Sequence, residues 1–234
     1  MPNIDLEKLL SVGAHFGHQH RRWNPKMEKY MYAVREGIYV FDLIKTKQAM
    51  EEALAEITKA KVENKKILIV GAKKQAKEKT KEIAQRHNMW YVTERWLGGT
   101  LTNFEQIRKS IDKLEDLRDE LKNAKKRGYT KKERLMLERK IEKLENQFGG
   151  ILGMKELPEF MIIVDTHKEQ GAVREANQLG ITTVGIVDSN GDPDDVSWAI
   201  PMNDDATKSL EYMLDLISEA LGEAKPKKQA KKKE

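Results

Sequence analysis

Three short apolar runs restrict this chain more than anything else in its sequence. Ile67-Leu68-Ile69-Val70 is unbroken, closed by Gly71 and flanked by lysines; Phe160–Asp165 reads FMIIVD and Thr182–Asp188 reads TTVGIVD. A strand with one wet face alternates apolar and polar residues. These runs are β-branched and apolar without that alternation, as strands buried on both faces must be. Parallel sheets covered by helices on either side impose that requirement. Each run ends in Gly or Asp and leads into a turn-rich or helical stretch, so the repeated unit predicts a doubly wound α/β sheet.

A length of 234 residues holds one large α/β domain, or such a domain with an inserted module, and can bury a proper core. Cysteine is absent, which excludes disulfides, thiolate zinc sites and cysteine nucleophiles and suits a reducing cytoplasm. The opening MPNIDLEKLL lacks the basic-then-apolar pattern of a secretory signal. No window approaches the roughly 18 consecutive apolar residues of a membrane span. The net charge of +5 hides a division along the chain. Residues 1–101 carry 19 basic and 12 acidic side chains, residues 149–223 carry 4 and 15, and the tail 224–234 carries 6 and 1. A basic N-terminal part suggests a polyanionic partner, and an acidic C-terminal part a basic partner or a cation.

Taken in order, the pattern predicts a short helix from Asp5 to about Val12 and then a loop, GAHFGHQHRRWNPKM, over 13–27. A strand is expected at 38–43, a helix from Thr46 to about Asn64, the central strand, and a polar helix from about Gln75 to Arg86. A short strand follows at Trp90–Thr93. Thr102-Asn103-Phe104-Glu105 and Thr130-Lys131-Lys132-Glu133 each have the spacing of a capping box. Between them a charged helix is expected to run to about Arg127, where Gly128 stops it. After Thr130 the residues Leu137, Ile141, Leu144 and Phe148 fall at heptad spacings. These features predict an inserted antiparallel coiled-coil hairpin over 102–148, bracketed by Gly98-Gly99 and Gly149-Gly150. Residues 1–101 and 149–223 then form a discontinuous α/β domain, closed by a helix along Leu210, Met213, Leu214, Ile217 and Leu221. Residues 224–234 are expected to be a disordered Lys-rich tail.

The candidate chemistry lies in three groups. Lys73, Asp165 and Asp188 stand at strand ends, where α/β folds bind ligands, and would serve a phosphate- or nucleotide-handling enzyme. The phosphate-loop and dinucleotide glycine signatures are both missing. Asp165 and Asp188, with Asp192, Asp194, Asp204 and Asp205, could hold a hard cation, although Asn190-Gly191-Asp192-Pro193 also reads as a turn. Arg21-Arg22-Trp23 and Arg95-Trp96 each offer a phosphate fork beside a stacking face, unless the indoles are core anchors. Lys26 adds a cation to the first group. At the hairpin tip Lys125, Lys126, Arg127, Lys131 and Lys132 repel one another, a cost that contact with a phosphate backbone would offset.

AHFGHQHRRWNPKMEKYMYAVREGIYVFDLIKT (14–46), RWLGGTLTNF (95–104) and IVDSNGDPDDVSWAIPMNDDA (186–206) closely resemble the family of bacterial ribosomal protein two of the small subunit, with landmarks in order from about Leu6 to Leu221. The resemblance implies a flavodoxin-like, three-layer α/β/α fold with a mainly parallel sheet that carries the coiled-coil hairpin. It implies a structural constituent of the small subunit, between head and body, in contact with small-subunit rRNA and neighbouring ribosomal proteins, including ribosomal protein one where an organism has it. It implies a cytoplasmic, ribosome-associated protein that supports translation, with no enzymatic activity, no membrane and no DNA partner. No cofactor is required, but a divalent metal, zinc or magnesium, is consistent with the family, and His18, Asp188, Asp204 and Asp205 match in type. Met202 stands where the family usually has Gly.

Overall fold

The computed structural model describes residues 2–123 and 128–222. Its N-terminal part is a helix, α1 (Leu6–Ser11), followed by three strands: β1 (Phe16–Gln19), β2 (Met31–Arg35) and β3 (Ile38–Phe41). Two 3-10 turns, at His20–Arg22 and Pro25–Tyr30, separate β1 from β2. The strands form a small antiparallel sheet with β3 in the middle. The sequence pattern predicts only the last of them and leaves 13–27 as a loop. Phe16 and Tyr32, on the two flanking strands, are largely exposed, so no buried face prints an alternation into the sequence. β3 also stops earlier than expected. The Asp42 carboxylate accepts the amides of Ile44 and Lys45 and thereby starts the next helix, α2 (Leu43–Val62).

The rest of the chain builds the main sheet. In order come β4 (Ile67–Val70), α3 (Lys77–Arg86), β5 (Trp90–Val92), α4 (Phe104–Asn123), α5 (Lys131–Phe148), β6 (Phe160–Ile163), α6 (Gln170–Gln178), β7 (Thr182–Val187), β8 (Trp198–Pro201) and α7 (Thr207–Ala220). The strands lie in the order β5-β4-β6-β7-β8, and every pairing is parallel. The first strand of the sheet therefore lies inside it, as in flavodoxin-like folds. Successive residues of β4 and β6 enter opposite cores. Ile67, Ile69, Phe160 and Ile162 pack with α1, α2, α3 and α7, whereas Leu68, Val70, Met161 and Ile163 pack with α6 and the root of α4 and α5. This two-sided burial is why those runs lack alternation. Met202 is fully buried in the first of these cores.

α4 and α5 lie antiparallel, with Arg118 paired to Glu145, and share a seam of Leu114, Leu137 and Ile141 flanked by Leu117, Leu121 and Leu144. At the root, Ile107, Ile111 and Phe148 join the main core. Thr130 and Glu133 form the expected capping box. The other expected box does not form. α4 begins at Phe104, and both the amide and the hydroxyl of Thr102 bond to the carboxylate of Glu175 on α6. The end expected near Arg127 for the first hairpin helix, with Lys125, Lys126 and Arg127, and the tail 224–234 lie outside the described residues.

Candidate nucleic-acid interface

Because the main sheet is parallel, the C-terminal ends of β4, β6, β7 and β8 share one rim. That rim gathers the residues which sequence reasoning divided between a metal site and an enzyme. The Lys73 ammonium lies 2.6 Å from Asp204 Oδ1, 2.7 Å from Asp205 Oδ1 and 3.2 Å from Asp165 Oδ2. Burial pulls its pKa down, but the three carboxylates outweigh that and hold Lys73 protonated, above its usual range. Asp204 is pushed up by burial and by Asp188 and Asp165, with Lys73 opposing. Asp165 itself sits in the left-handed region (φ 66°), and its Oδ1 accepts the Lys168 amide.

His18 from β1 reaches the same rim. Its Nδ1 is 3.0 Å from Asp188 Oδ1 and its Nε2 3.4 Å from Asp205 Oδ2. The hydrogen bond to Asp188 raises its pKa against the effect of burial, with the charges of Asp188, Asp205 and Asp204 adding to the rise. Asp188 is further engaged by the Ser189 hydroxyl at 2.9 Å and the Asp204 amide at 3.0 Å.

The structure therefore brings His18, Asp188, Asp204 and Asp205 together but does not aim them at one point. An ammonium fills the space between the acids, and Asp188 is satisfied by neighbouring donors. Among the described residues no three His, Cys, Asp or Glu groups converge as metal ligands. As held here by Lys73 and by neighbouring donors, these four residues do not present the donor set of a divalent-cation site. The enzyme reading fails on the same geometry, since a protonated lysine held by three carboxylates is neither base nor nucleophile.

The acidic segment also has an internal partner where an external one was expected. Lys26 is 2.7 Å from Asp192 and 3.2 Å from Asp194, and Lys29 is 3.7 Å from Asp194. Lys26 and Lys29 of the N-terminal loop thus pair with Asp192 and Asp194 across the rim, so part of the acidic segment is met within the chain.

The other basic candidates divide sharply. Arg21 and Arg22 are exposed in the first 3-10 turn; Arg95 is exposed after β5, as are Lys131 and Lys132 at the start of α5. None of these five makes an ion pair among the described residues. Trp23 is half-buried, with one face stacked on Tyr39 at a centroid distance of 4.4 Å. Trp96 is no stacking platform. It is 8% exposed, and its indole N–H donates to Glu175 at 3.0 Å.

Glu175 is the residue that sequence reasoning missed. Its Oε1 accepts from Trp96 Nε1 and the Gly99 amide (2.8 Å), and its Oε2 from the amides of Leu101 (2.9 Å) and Thr102 (3.0 Å) and the Thr102 hydroxyl (3.2 Å). Burial pushes the carboxyl up, yet these bonds more than reverse it and leave the pKa below the usual value. The available signal was its place beside Ala172, Val173 and Ala176 on the buried face of α6.

A second surface is apolar. Leu10, Phe16, Tyr32, Ile38, Val40 and Ile44 line an open groove of about 540 Å³ over the small sheet; Tyr32 is 71% and Ile44 62% exposed.

Residues 9–224 match the model of the family described as Ribosomal protein S2. The small ribosomal subunit protein uS2 of Geotalea uraniireducens is 44% identical over 221 residues, 94% of this chain and 86% of that protein. The protein of the same name from Azorhizobium caulinodans is 43% identical over 220 residues, 94% of this chain but 66% of the longer relative. With the parallel sheet, the helical pair between β5 and β6, and the unpaired surface cations already in place, the match is decisive: the chain belongs to the ribosomal protein S2 family, whose members are structural, non-enzymatic components of the ribosome.

Proposed function

We propose that the chain is a structural constituent of the small ribosomal subunit that binds rRNA and neighbouring ribosomal proteins between head and body and supports translation in the cytoplasm. The observation that carries this reading is the sorting of its cations. Lys26, Lys29 and Lys73 are held by the chain's own carboxylates, whereas Arg21, Arg22, Arg95, Lys131 and Lys132 are exposed and make no ion pair among the described residues. Unpaired surface cations are what a phosphate backbone attracts, and they position the protein by shape and charge rather than by sequence. Lys125, Lys126 and Arg127 extend that set at the hairpin tip by their sequence alone. The apolar groove supports a protein partner, because a contiguous patch of this kind is seldom left in water; the family resemblance offers ribosomal protein one among the neighbouring proteins where an organism has it.

Sucrose-gradient sedimentation of a tagged copy at moderate and high salt tests the reading. Co-migration with small subunits, released as salt rises, is the expected result. Migration as a free protein at both salts, beside intact subunits, refutes it. The variant Lys125→Glu/Lys126→Glu/Arg127→Glu tests the tip separately: it should lower occupancy, and unchanged occupancy removes the tip from the interface.

A further inference from the structure

The root of the hairpin carries a cleft of about 440 Å³ between the segment after β5 and the last turns of α5. Arg95, Gly98, Lys143, Asn146 and Gln147 line it, and it opens beside a second cleft that shares Glu94, Asn146 and Gln147 and adds Lys77 and Lys81 together with Glu78 and Glu145. Lys143, Asn146 and Gln147 lie one turn apart and so share a helix face.

Three observations bear on what this cleft holds. First, the one acid on its own wall is already neutralised, since Glu94 bonds to Lys77; of the acids in the adjoining cleft, Glu145 bonds to Arg118 at 2.7 Å. Arg95 and Lys143 have no ion pair among the described residues, so the cleft has an excess of positive charge. The carbonyl end of α5 repels an anion, and these two cations must supply the attraction. Second, Gly98 has no reason in the fold to be glycine. A Cβ there would meet nothing within 4 Å, and its φ lies outside the left-handed region. A bare backbone on a cleft wall admits close approach by a ligand. Third, the loop that carries Gly98 is fixed on both sides by Glu175, through Trp96 and Gly99, so the cleft is pre-shaped.

We propose that this cleft seats a stretch of RNA sugar–phosphate backbone. Arg95 and Lys143 take phosphate oxygens, Asn146 and Gln147 hydrogen-bond phosphate or 2′-hydroxyl groups, and Gly98 gives the strand room. The inference rests on the rRNA-binding reading above and adds a seat at the root of the hairpin to the one at its tip.

The test is a titration of purified full-length protein against small-subunit rRNA over a range of salt. The variants are Gly98→Glu and Lys143→Glu, with Lys208→Glu on α7 as a control that matches the charge change of Lys143→Glu and exceeds that of Gly98→Glu by one unit. Both cleft variants should bind about tenfold more weakly than the control, and the slope of log affinity against log salt should flatten by about one for each phosphate that the variant no longer neutralises. Lys143 is exposed on a helix, so Lys143→Glu remains informative if Gly98→Glu folds poorly. Salt-sensitive binding by wild type with cleft variants equal to the control overturns the cleft while leaving the rRNA reading intact. Absence of salt-sensitive binding by wild type overturns both. Normal rRNA affinity combined with poor incorporation into subunits makes the occupant a protein and overturns the RNA assignment.

Discussion

Replacing Glu175 with alanine should be among the most damaging single changes away from the sheet itself. The carboxylate accepts five hydrogen bonds, four of them from N–H groups in the seven-residue stretch 96–102. Alanine leaves all of these donors without their acceptor. Gly99 and Thr102 are accessible enough for water to replace the missing partner, but Trp96 and Leu101 are buried, at 8% and 2% exposure. A buried donor left unsatisfied costs about 1–3 kcal/mol. Two such donors, with a smaller share from the others, give roughly 3–5 kcal/mol, a large part of the 5–15 kcal/mol that holds a typical domain together. Glutamine keeps the shape but turns an NH₂ toward one of the two donor sets, so Glu175→Gln should lose about half as much. Urea unfolding followed by tryptophan fluorescence gives the free energies, and limited proteolysis reports whether α4 and α5 remain seated on the body. The charge adds a pH signature. The native pKa of Glu175 is lowered, so its contribution is present above the unfolded value and disappears as pH falls through the native one. Wild type should lose more stability on acidification than Glu175→Gln. A Glu175→Ala protein with an unchanged urea midpoint and protease pattern would show that the loop is held by packing alone.

Glu169 should give the opposite pH dependence: burial raises its pKa from 4.5 to about 7, so its stabilising share is present below 4.5 and is lost as pH rises through 7. That amounts to about 3 kcal/mol, and stability measured from pH 4.5 to 8 should fall less in Glu169→Gln than in wild type. At the exit of the hairpin, a Cβ on Gly150 would stand 2.0 Å from the Tyr91 carbonyl oxygen of β5, so Gly150→Ala should cost about 3 kcal/mol or more in chemical denaturation, while Gly98→Ala should be neutral. Lys73→Met removes the ammonium from Asp165, Asp204 and Asp205 and should destabilise by about 3–5 kcal/mol; adding Asp204→Asn should restore part of the loss, and additive losses in that double-mutant cycle would argue against a coupled cluster.

The fold was legible wherever burial leaves a mark on residue type. Two-sided burial made β4, β6 and β7 readable, and the seam and cap of α5 were written in Leu137, Ile141 and the Thr130–Glu133 pair. β1 and β2 were not readable, because a small sheet with exposed faces imposes no pattern on a stretch crowded with His, Arg, Gly and Pro. The failed capping box at Thr102 has a different cause. Its local spacing was correct, but a carboxylate 73 residues away in sequence competes for the same amide and hydroxyl and wins, because it offers a charged acceptor in a buried place.

The charge division along the chain illustrates what counting alone leaves out. Fifteen acids against four bases in 149–223 suggested a surface awaiting an outside partner. Yet a parallel sheet places every strand's C-terminal end on one rim, so Lys73 after β4 must lie near Asp165 after β6 and Asp188 after β7. That clustering could have been deduced from the predicted sheet before any coordinates. The contribution of His18, Lys26 and Lys29 could not, because it depends on how the small antiparallel sheet is mounted, and nothing local to residues 13–35 specifies that. Outside these internal pairs, exposed cations without an ion pair among the described residues remain at the Arg21-Arg22 turn, at Arg95 and at Lys131, Lys132 and Lys143 of α5. The function proposed above therefore assigns the polyanion to these exposed cations rather than to the whole basic half of the chain.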